Sequence, residues 1–317
     1  MGVTLALCNL LEAAEHDAQN GTPICASCSL CSPCKWVFGV KRDAQGNIER
    51  HKARLVARGY EQRIGGDVYE TFAPVAHMDS VRTLIAVAAI RDYIMLQFDV
   101  STAFLNGILE EEVYVDPPKE VKLGKGECLK LNKALYGLRQ SPRAWNSCLN
   151  EALEALGMKA VESEPCIYTS EDRQIYLVVY VDDGLIIGKN EERCHKLVDA
   201  LGRRFKIKLL NCTMFLGVEI KREEGNISLS QTRYINDILE RFEMADCKGA
   251  SSPILDIKTL VETNESEPTS ASYREAIGCL MYVANCTRPD ISYAVNLLAR
   301  RCHAPTAPLW SAVKYVI

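Results

Sequence analysis

The chain has 317 residues, 48% of them hydrophobic, which suits one large or two ordinary folded domains and excludes a disordered or low-complexity protein. Its formal charge of -4 excludes a uniformly basic nucleic-acid coat, yet residues 35–63 hold eight Lys or Arg against three Asp or Glu, a local net of +5. No apolar run reaches the roughly 18 residues that cross a bilayer, so an intracellular protein with no membrane partner is expected.

Residues 1–34 show no strand pattern and only a short helical stretch near Leu5–Glu15. They end in Cys25, Cys28, Cys31 and Cys34, a C-x2-C-x2-C-x2-C run close to the spacing of thiolates on an iron–sulfur cluster. No second ligand group follows, and the remaining cysteines are scattered singly, so reduced thiols are the main reading and a bound metal the minor one. From Lys35 the pattern becomes regular. Lys35–Lys41 alternates, Asp43–Asn47 has turn chemistry, and Ile48–Ala57 returns as a second strand, giving a basic hairpin. Ser80 is expected to cap a helix over Val81–Ile90, and Tyr93–Phe98 reads as a strand delivering Asp99. The stretch Ser101–Gly107 breaks that strand, and Glu110–Glu112 precedes an extended Val113–Pro118 and a loop with Gly124 and Gly126. Ser141 as cap and Pro142 at the first helical position then start a helix to about Leu156, ended by Gly157.

The run Ile175–Val181 is continuous, β-branched and aromatic, as in a strand covered on both faces, and Leu185–Ile187 repeats the pattern after Asp182-Asp183-Gly184. This predicts a hairpin with the Asp pair in its tight turn. Taken alone, Asp-Gly is explained by turn geometry. Glu191–Phe205 puts Cys194, Leu197, Val198, Leu201 and Phe205 on one helical stripe; Phe215–Ile220 and Ile227–Leu229 flank a turn at Glu224–Asn226; and Gln231–Phe242 is amphipathic. A polar linker over Ser251–Ser272 precedes helices at Tyr273–Asn285 and Pro289–Arg301. The expectation is an α+β fold, one antiparallel sheet with helices packed on one face.

Asp99 at one strand end and Asp182 with Asp183 on a hairpin tip have the makings of an oxygen-ligand site for a hard cation such as Mg2+. Two such ions would clamp the attacking and leaving oxygens of a phosphoryl displacement, with the basic hairpin supplying charge for a triphosphate. The bland alternatives are a loop cap at Asp99 and a solvated strand face at Lys52 and Arg54.

Eight blocks, in order, carry a resemblance. They are Lys35-Trp-Val-Phe38, His51-Lys-Ala-Arg-Leu-Val-Ala-Arg-Gly-Tyr60, Glu70-Thr-Phe-Ala-Pro-Val75, Phe98-Asp-Val-Ser-Thr-Ala-Phe-Leu-Asn-Gly107, Leu135-Tyr-Gly-Leu-Arg-Gln-Ser-Pro-Arg-Ala-Trp145, Tyr180-Val-Asp-Asp183, Phe215-Leu-Gly217 and Thr287-Arg-Pro-Asp-Ile291. Together they resemble the reverse transcriptases of Ty1/copia-class long-terminal-repeat retrotransposons over about residues 35–310. The resemblance implies a right-handed palm, fingers and thumb polymerase. Residues 35–88 and 107–142 would be fingers, 89–106 and 143–225 palm, and 226–317 thumb and connection, after an extension at 1–34. It implies an RNA-directed DNA polymerase that uses two Mg2+ ions, with Mn2+ as substitute, and takes an RNA template, a DNA or RNA primer and deoxynucleoside triphosphates. If the element is active, a cytoplasmic particle is the expected setting.

By the same resemblance Asp99, Asp182 and Asp183 are catalytic metal ligands, joined by the Val100 carbonyl. Lys52, Arg54, Phe104 and Gln140 would bind the nucleotide, Phe104 as the aromatic that blocks a ribose 2′-hydroxyl. Tyr180 with Phe215, Leu216 and Gly217 would meet the primer. Lys206 or Lys208 would protonate pyrophosphate, although the usual Lys-Asp-Leu-Gly reads Lys208-Leu-Leu-Asn211 here. The Cys-rich run replaces the expected Trp-containing segment, and no protease, integrase or ribonuclease H signature is present. The alternative is therefore a catalytically inactive relic that at most binds nucleic acid.

Overall fold

The computed structural model describes residues 31–42, 47–63, 65–118, 128–254 and 272–317. Most of the expected Asp43–Asn47 turn, the Gly124–Gly126 loop, most of the Ser251–Ser272 linker, and Cys25 and Cys28 lie outside them. Two compact units are present. One comprises the chain up to Ala76 with Ile94–Leu210, the other His77–Tyr93 with Asn211–Ile317.

The first unit opens with β1 (Cys34–Arg42) and β2 (Ile48–Ala57), an antiparallel hairpin as predicted, in which Gly39 faces Lys52 and Val37 faces Arg54. Next in sequence, α1 (Met78–Arg91) belongs to the second unit. It starts at Met78 rather than behind Ser80. Asp79 places a carboxylate in the first turn, where the helix dipole favours it, so no Ser80 cap is needed.

β3 (Ile94–Val100) carries Asp99 inside the strand. β4 (Ile108–Val115) contains Glu110–Glu112 rather than following them: Glu110 and Glu112 are exposed, Glu111 is half-buried on the face of the buried Val113 and Val115, and the strand pairs with β5 (Leu129–Lys133). Leu55, Val113, Leu131, Leu135 and Leu138 form a small core there. α2 (Ser141–Ala155) has Gln140, not Ser141, at its cap position; Ser141 is 1% exposed, and its hydroxyl donates to the Leu135 carbonyl at 2.6 Å. Pro142 does occupy the first turn, and Gly157 follows the helix end at φ 76°.

The main sheet has six strands, all paired antiparallel, in the order β10-β3-β9-β8-β7-β6, where β6 is Met158–Val161, β7 Glu164–Ser170, β8 Ile175–Tyr180, β9 Asp183–Gly188 and β10 Ile207–Leu210. α2 and α3 (Glu191–Gly202) cover one face, burying Phe98, Leu177, Ile186, Trp145, Leu149, Leu197 and Leu201 in a single core. The predicted combination of helices with antiparallel sheet is present, but the described strands form four sheets rather than one. One detail shifts by a residue. Tyr180 pairs with Asp183, so the tight turn is Val181-Asp182, and Asp183 already belongs to β9. Gly184 is not a turn residue: it faces Phe98 across the β3–β9 ladder, and a Cβ there would overlap the Phe98 ring.

In the second unit β11 (Met214–Phe215), β12 (Val218–Glu223) and β13 (Asn226–Ser230) form a three-stranded antiparallel sheet. α4 (Thr232–Arg241), α5 (Tyr273–Cys286), α6 (Ser292–Ala299) and α7 (Ala307–Val316) pack around Ile238, Ile277, Leu280, Val295 and Val313. Arg222 of β12 pairs with Asp92 and donates to the Tyr93 carbonyl at 2.7 Å, binding the sheet to the end of α1. Among the described residues no helix is long and apolar enough to cross a membrane.

Candidate active site

Strand alternation sorts the acidic residues. On β3, Phe98 and Val100 enter the helix-covered core, so Asp99 points to the opposite face. On β9, Ile186 enters that core with Gly184 on the same side, which leaves Asp183 beside Asp99 on the opposite face, where both carboxylates are half-buried. The two are directly paired across the ladder, a relation that sets Cβ atoms about 5 Å apart. Lys208 of β10 pairs with Asp99 from the other side, so Asp99 is flanked by one carboxylate and one ammonium.

Asp182 is delivered by the turn. Val181 sits at φ 58°, a left-handed conformation that a β-branched residue resists. The turn is held from two directions. Trp145 Nε1 donates to the Val181 carbonyl at 2.6 Å, and the Val100 backbone N–H donates to the Asp182 carbonyl at 2.7 Å. Trp145 is fixed in turn, 2% exposed and edge-on to Phe205 at 5.1 Å. The strand bearing Asp99 and the helix bearing Trp145 thereby fix the backbone around Asp182.

This crowding shows in the acidities. Burial, then the charges of Asp182 and Asp99, push Asp183 up to about 6. Burial also raises Asp182, with Asp99 adding to the rise and Arg54 and Lys52 opposing it. A carboxyl raised above its unfolded value favours the native state while protonated, and that contribution is lost as pH climbs from about 4 through about 6. Asp183→Asn is therefore expected to stabilise the metal-free protein at pH 7 by about 1 kcal/mol, discounted for partial exposure, and not at pH 4. Thermal melts at the two pH values in EDTA check this, and an equal shift at both would contradict it.

Among the described residues no three His, Cys, Asp or Glu side chains stand close enough to ligate one ion as they are placed. The donors nevertheless suit Mg2+, which is commonly held by one or two carboxylates plus water and substrate phosphate rather than by a closed protein cage. Asp182 and Asp183, raised first by burial and then by neighbouring aspartates, are carboxylates that the charge of a divalent ion would favour in their ionised form.

The basic hairpin addresses the same face. Burial, then Arg54, Arg50 and Lys41, lower the Lys52 ammonium, while Asp99 opposes them, and Arg54 in turn acts on Asp182. Arg54 lies over the Tyr136 ring at 5.8 Å, and Tyr136 meets Phe104 edge-on at 5.1 Å. Tyr180, beside Asp183, is 37% exposed.

Gln140 is held within the chain by its side-chain amide. It is 2% exposed; its Oε1 accepts from Gln62 at 3.1 Å, and its Nε2 donates to the Asp67 carbonyl at 3.2 Å. Gln62 Oε1 accepts from the Arg139 N–H, so the side-chain amides pin residues 59–67 to the turn before α2. Phe215, Leu216 and Gly217 belong to the second unit. Phe215 is 1% exposed, Leu216 and Gly217 both have positive φ, and the Tyr282 hydroxyl donates to the Leu216 carbonyl beneath the turn. Cys34 is pushed up to about 12 by burial and then Asp116, so it is a protonated, packed thiol. Trp145, Tyr136 and Gln62 carry parts of this site that sequence spacing alone did not single out; Trp145 and Tyr136 lie in a matching block, Gln62 two residues past one.

Residues 29–256 match the family described as reverse transcriptase (RNA-dependent DNA polymerase). A retrovirus-related Pol polyprotein from transposon TNT 1-94 of Nicotiana tabacum is 41% identical over 90% of this chain and 22% of its own length, and one from transposon RE2 of Arabidopsis thaliana is 40% identical over 90% and 20%. The chain thus spans about a fifth of these relatives. A putative transposon Ty5-1 protein of Saccharomyces cerevisiae is 34% identical over 66% of this chain and 70% of its own length. Among solved structures, a foamy viral protease–reverse transcriptase in complex with double-stranded DNA overlaps 99% of this chain and 48% of its own at 13% identity, a loose likeness with a TM-score of 0.43.

Proposed function

Since the chain belongs to the reverse transcriptase (RNA-dependent DNA polymerase) family, with Ty1/copia-type Pol polyproteins as relatives, we propose that it extends a primer 3′-end with deoxynucleotides along an RNA or DNA template. The observation that carries this is the cross-strand pair of Asp99 and Asp183, with Asp182 on the adjoining turn, on the face whose charges act on Lys52 and Arg54.

In this reading Asp99, Asp182 and Asp183, with the Val100 carbonyl, would hold two Mg2+ ions. The bound ions would acidify the primer 3′-hydroxyl and offset the charge on the triphosphate. Lys52 and Arg54 bind the triphosphate from the fingers side. Phe104 lies under the sugar and excludes a 2′-hydroxyl, and Tyr180, beside the carboxylates, meets the primer end. The 3′-oxygen forms a bond to the α-phosphorus while the bond to the β-phosphate oxygen breaks, releasing pyrophosphate. Lys208, directly across from Asp99, suits the proton donor to that leaving group better than Lys206, which lies beyond the strand end. Gln140 acts from beneath, fixing the loop at 59–67, and Phe215–Gly217 grips the primer.

Purified chain, a labelled DNA primer on an RNA template and all four deoxynucleoside triphosphates in Mg2+ are expected to give elongated product that disappears on adding EDTA. No elongation in either Mg2+ or Mn2+ would leave the inactive-relic reading standing.

A further inference from the structure

We propose that Tyr136 is a positioning residue for sugar selection, tying Phe104 and Arg54 into one unit. The inference rests on the polymerase reading and goes beyond it. Three separate chain segments meet at this half-buried ring. Phe104, on the short turn Ala103–Asn106 that follows β3, meets it edge-on, with centroids 5.1 Å apart and planes at 62°. Arg54 of β2 lies 5.8 Å from its centroid. Its own backbone is fixed to the same strand, because the Ala57 N–H donates to the Tyr136 carbonyl at 2.8 Å. The neighbouring Leu135 carbonyl is held by the Ser141 hydroxyl.

An aromatic ring with a cation over it and another ring at its edge has fixed orientation, since both contacts depend on where the ring faces. An aliphatic side chain of similar size would fill the space without fixing either neighbour. The side chain expected to meet the sugar and the one expected to meet the phosphates are therefore held at a set separation. A nucleotide bound through its triphosphate is presented to Phe104 in one register.

The test measures kcat and KM for dATP and ATP incorporation by wild type, Tyr136→Leu, Tyr136→Phe, Phe104→Ala and the Tyr136→Leu/Phe104→Ala double variant. The same comparison is read as equilibrium affinity for the two Mg2+–nucleotides, which needs no turnover. Tyr136→Leu is expected to lower the dATP-over-ATP preference about fivefold, mainly through KM, the size of one lost aromatic contact. Tyr136→Phe is expected to keep the wild-type ratio, and Tyr136→Leu to add little once Phe104 is Ala. An unchanged ratio with both nucleotides slowed equally, or additive losses in the double variant, overturns the inference and leaves the polymerase intact. A wild type with no preference for dATP overturns the role of Phe104 and this inference with it. A chain that binds neither nucleotide overturns the polymerase reading itself.

Discussion

Asp99→Asn is expected to abolish primer extension, by roughly a thousandfold or more, with the fold intact. That factor corresponds to about 4 kcal/mol, the scale at which a positioned cation stabilises developing charge on phosphate. Asn matches Asp in shape, and Asp99 lies within β3 between Asp183 and Lys208, so the strand ladder is undisturbed. Removing its charge also relieves the crowding that raises Asp182 and Asp183. The variant should therefore melt no lower than wild type while losing activity, a combination that mere misfolding cannot produce. Extension within tenfold of wild type would remove Asp99 from the chemistry.

Gly137→Ala is expected to cost about 3 kcal/mol of stability. Gly137 has φ 92°, and a Cβ there would overlap the Ala57 carbonyl and the Val56 side chain. Its neighbour across the gap, Gly59, would strike the Gly137 carbonyl if it carried a Cβ. Two glycines back to back let the end of β2 approach the turn before α2, the same approach that Ala57 and Tyr136 close with a hydrogen bond. Strain at positive φ accounts for about 1 kcal/mol and overlap with backbone for about 1–3 more. Gly157→Ala separates the two effects, because Gly157 has φ 76° in the same unit and open space around it. Denaturant unfolding of both variants measures the difference, and equal losses would dismiss the overlap.

The elements that position the site were legible where one local pattern decided them. The continuous apolar run Ile175–Val181 could only be a covered strand, and Asp99 followed from the same logic on β3. Legibility failed where a distant partner decides. Asp-Gly is a strong turn signal, yet Gly184 is required by Phe98, some 86 positions earlier in the chain, and the turn falls one residue sooner. Ser141 resembles a helix cap, but its hydroxyl is claimed by Leu135. Gln140 has the sequence context of a nucleotide contact, and only the folded chain shows Gln62 and Asp67 using its amide. Trp145 closes a matching block with no sign of its task, which is a single hydrogen bond to the turn behind Asp182.

The contact of Phe98 with Gly184 bears on how such a chain can change by descent. Each residue adjoins one of the two cross-strand aspartates in sequence, Phe98 before Asp99 and Gly184 after Asp183. The ring lies where any side chain at 184 would have to go. A larger residue at 184 is admissible only in a lineage that has already lost the ring at 98, and losing the ring first opens a void under β3 and β9. Neither position can drift alone, so the pair passes through mutation as one character, holding the spacing of the carboxylates constant while surface positions diverge.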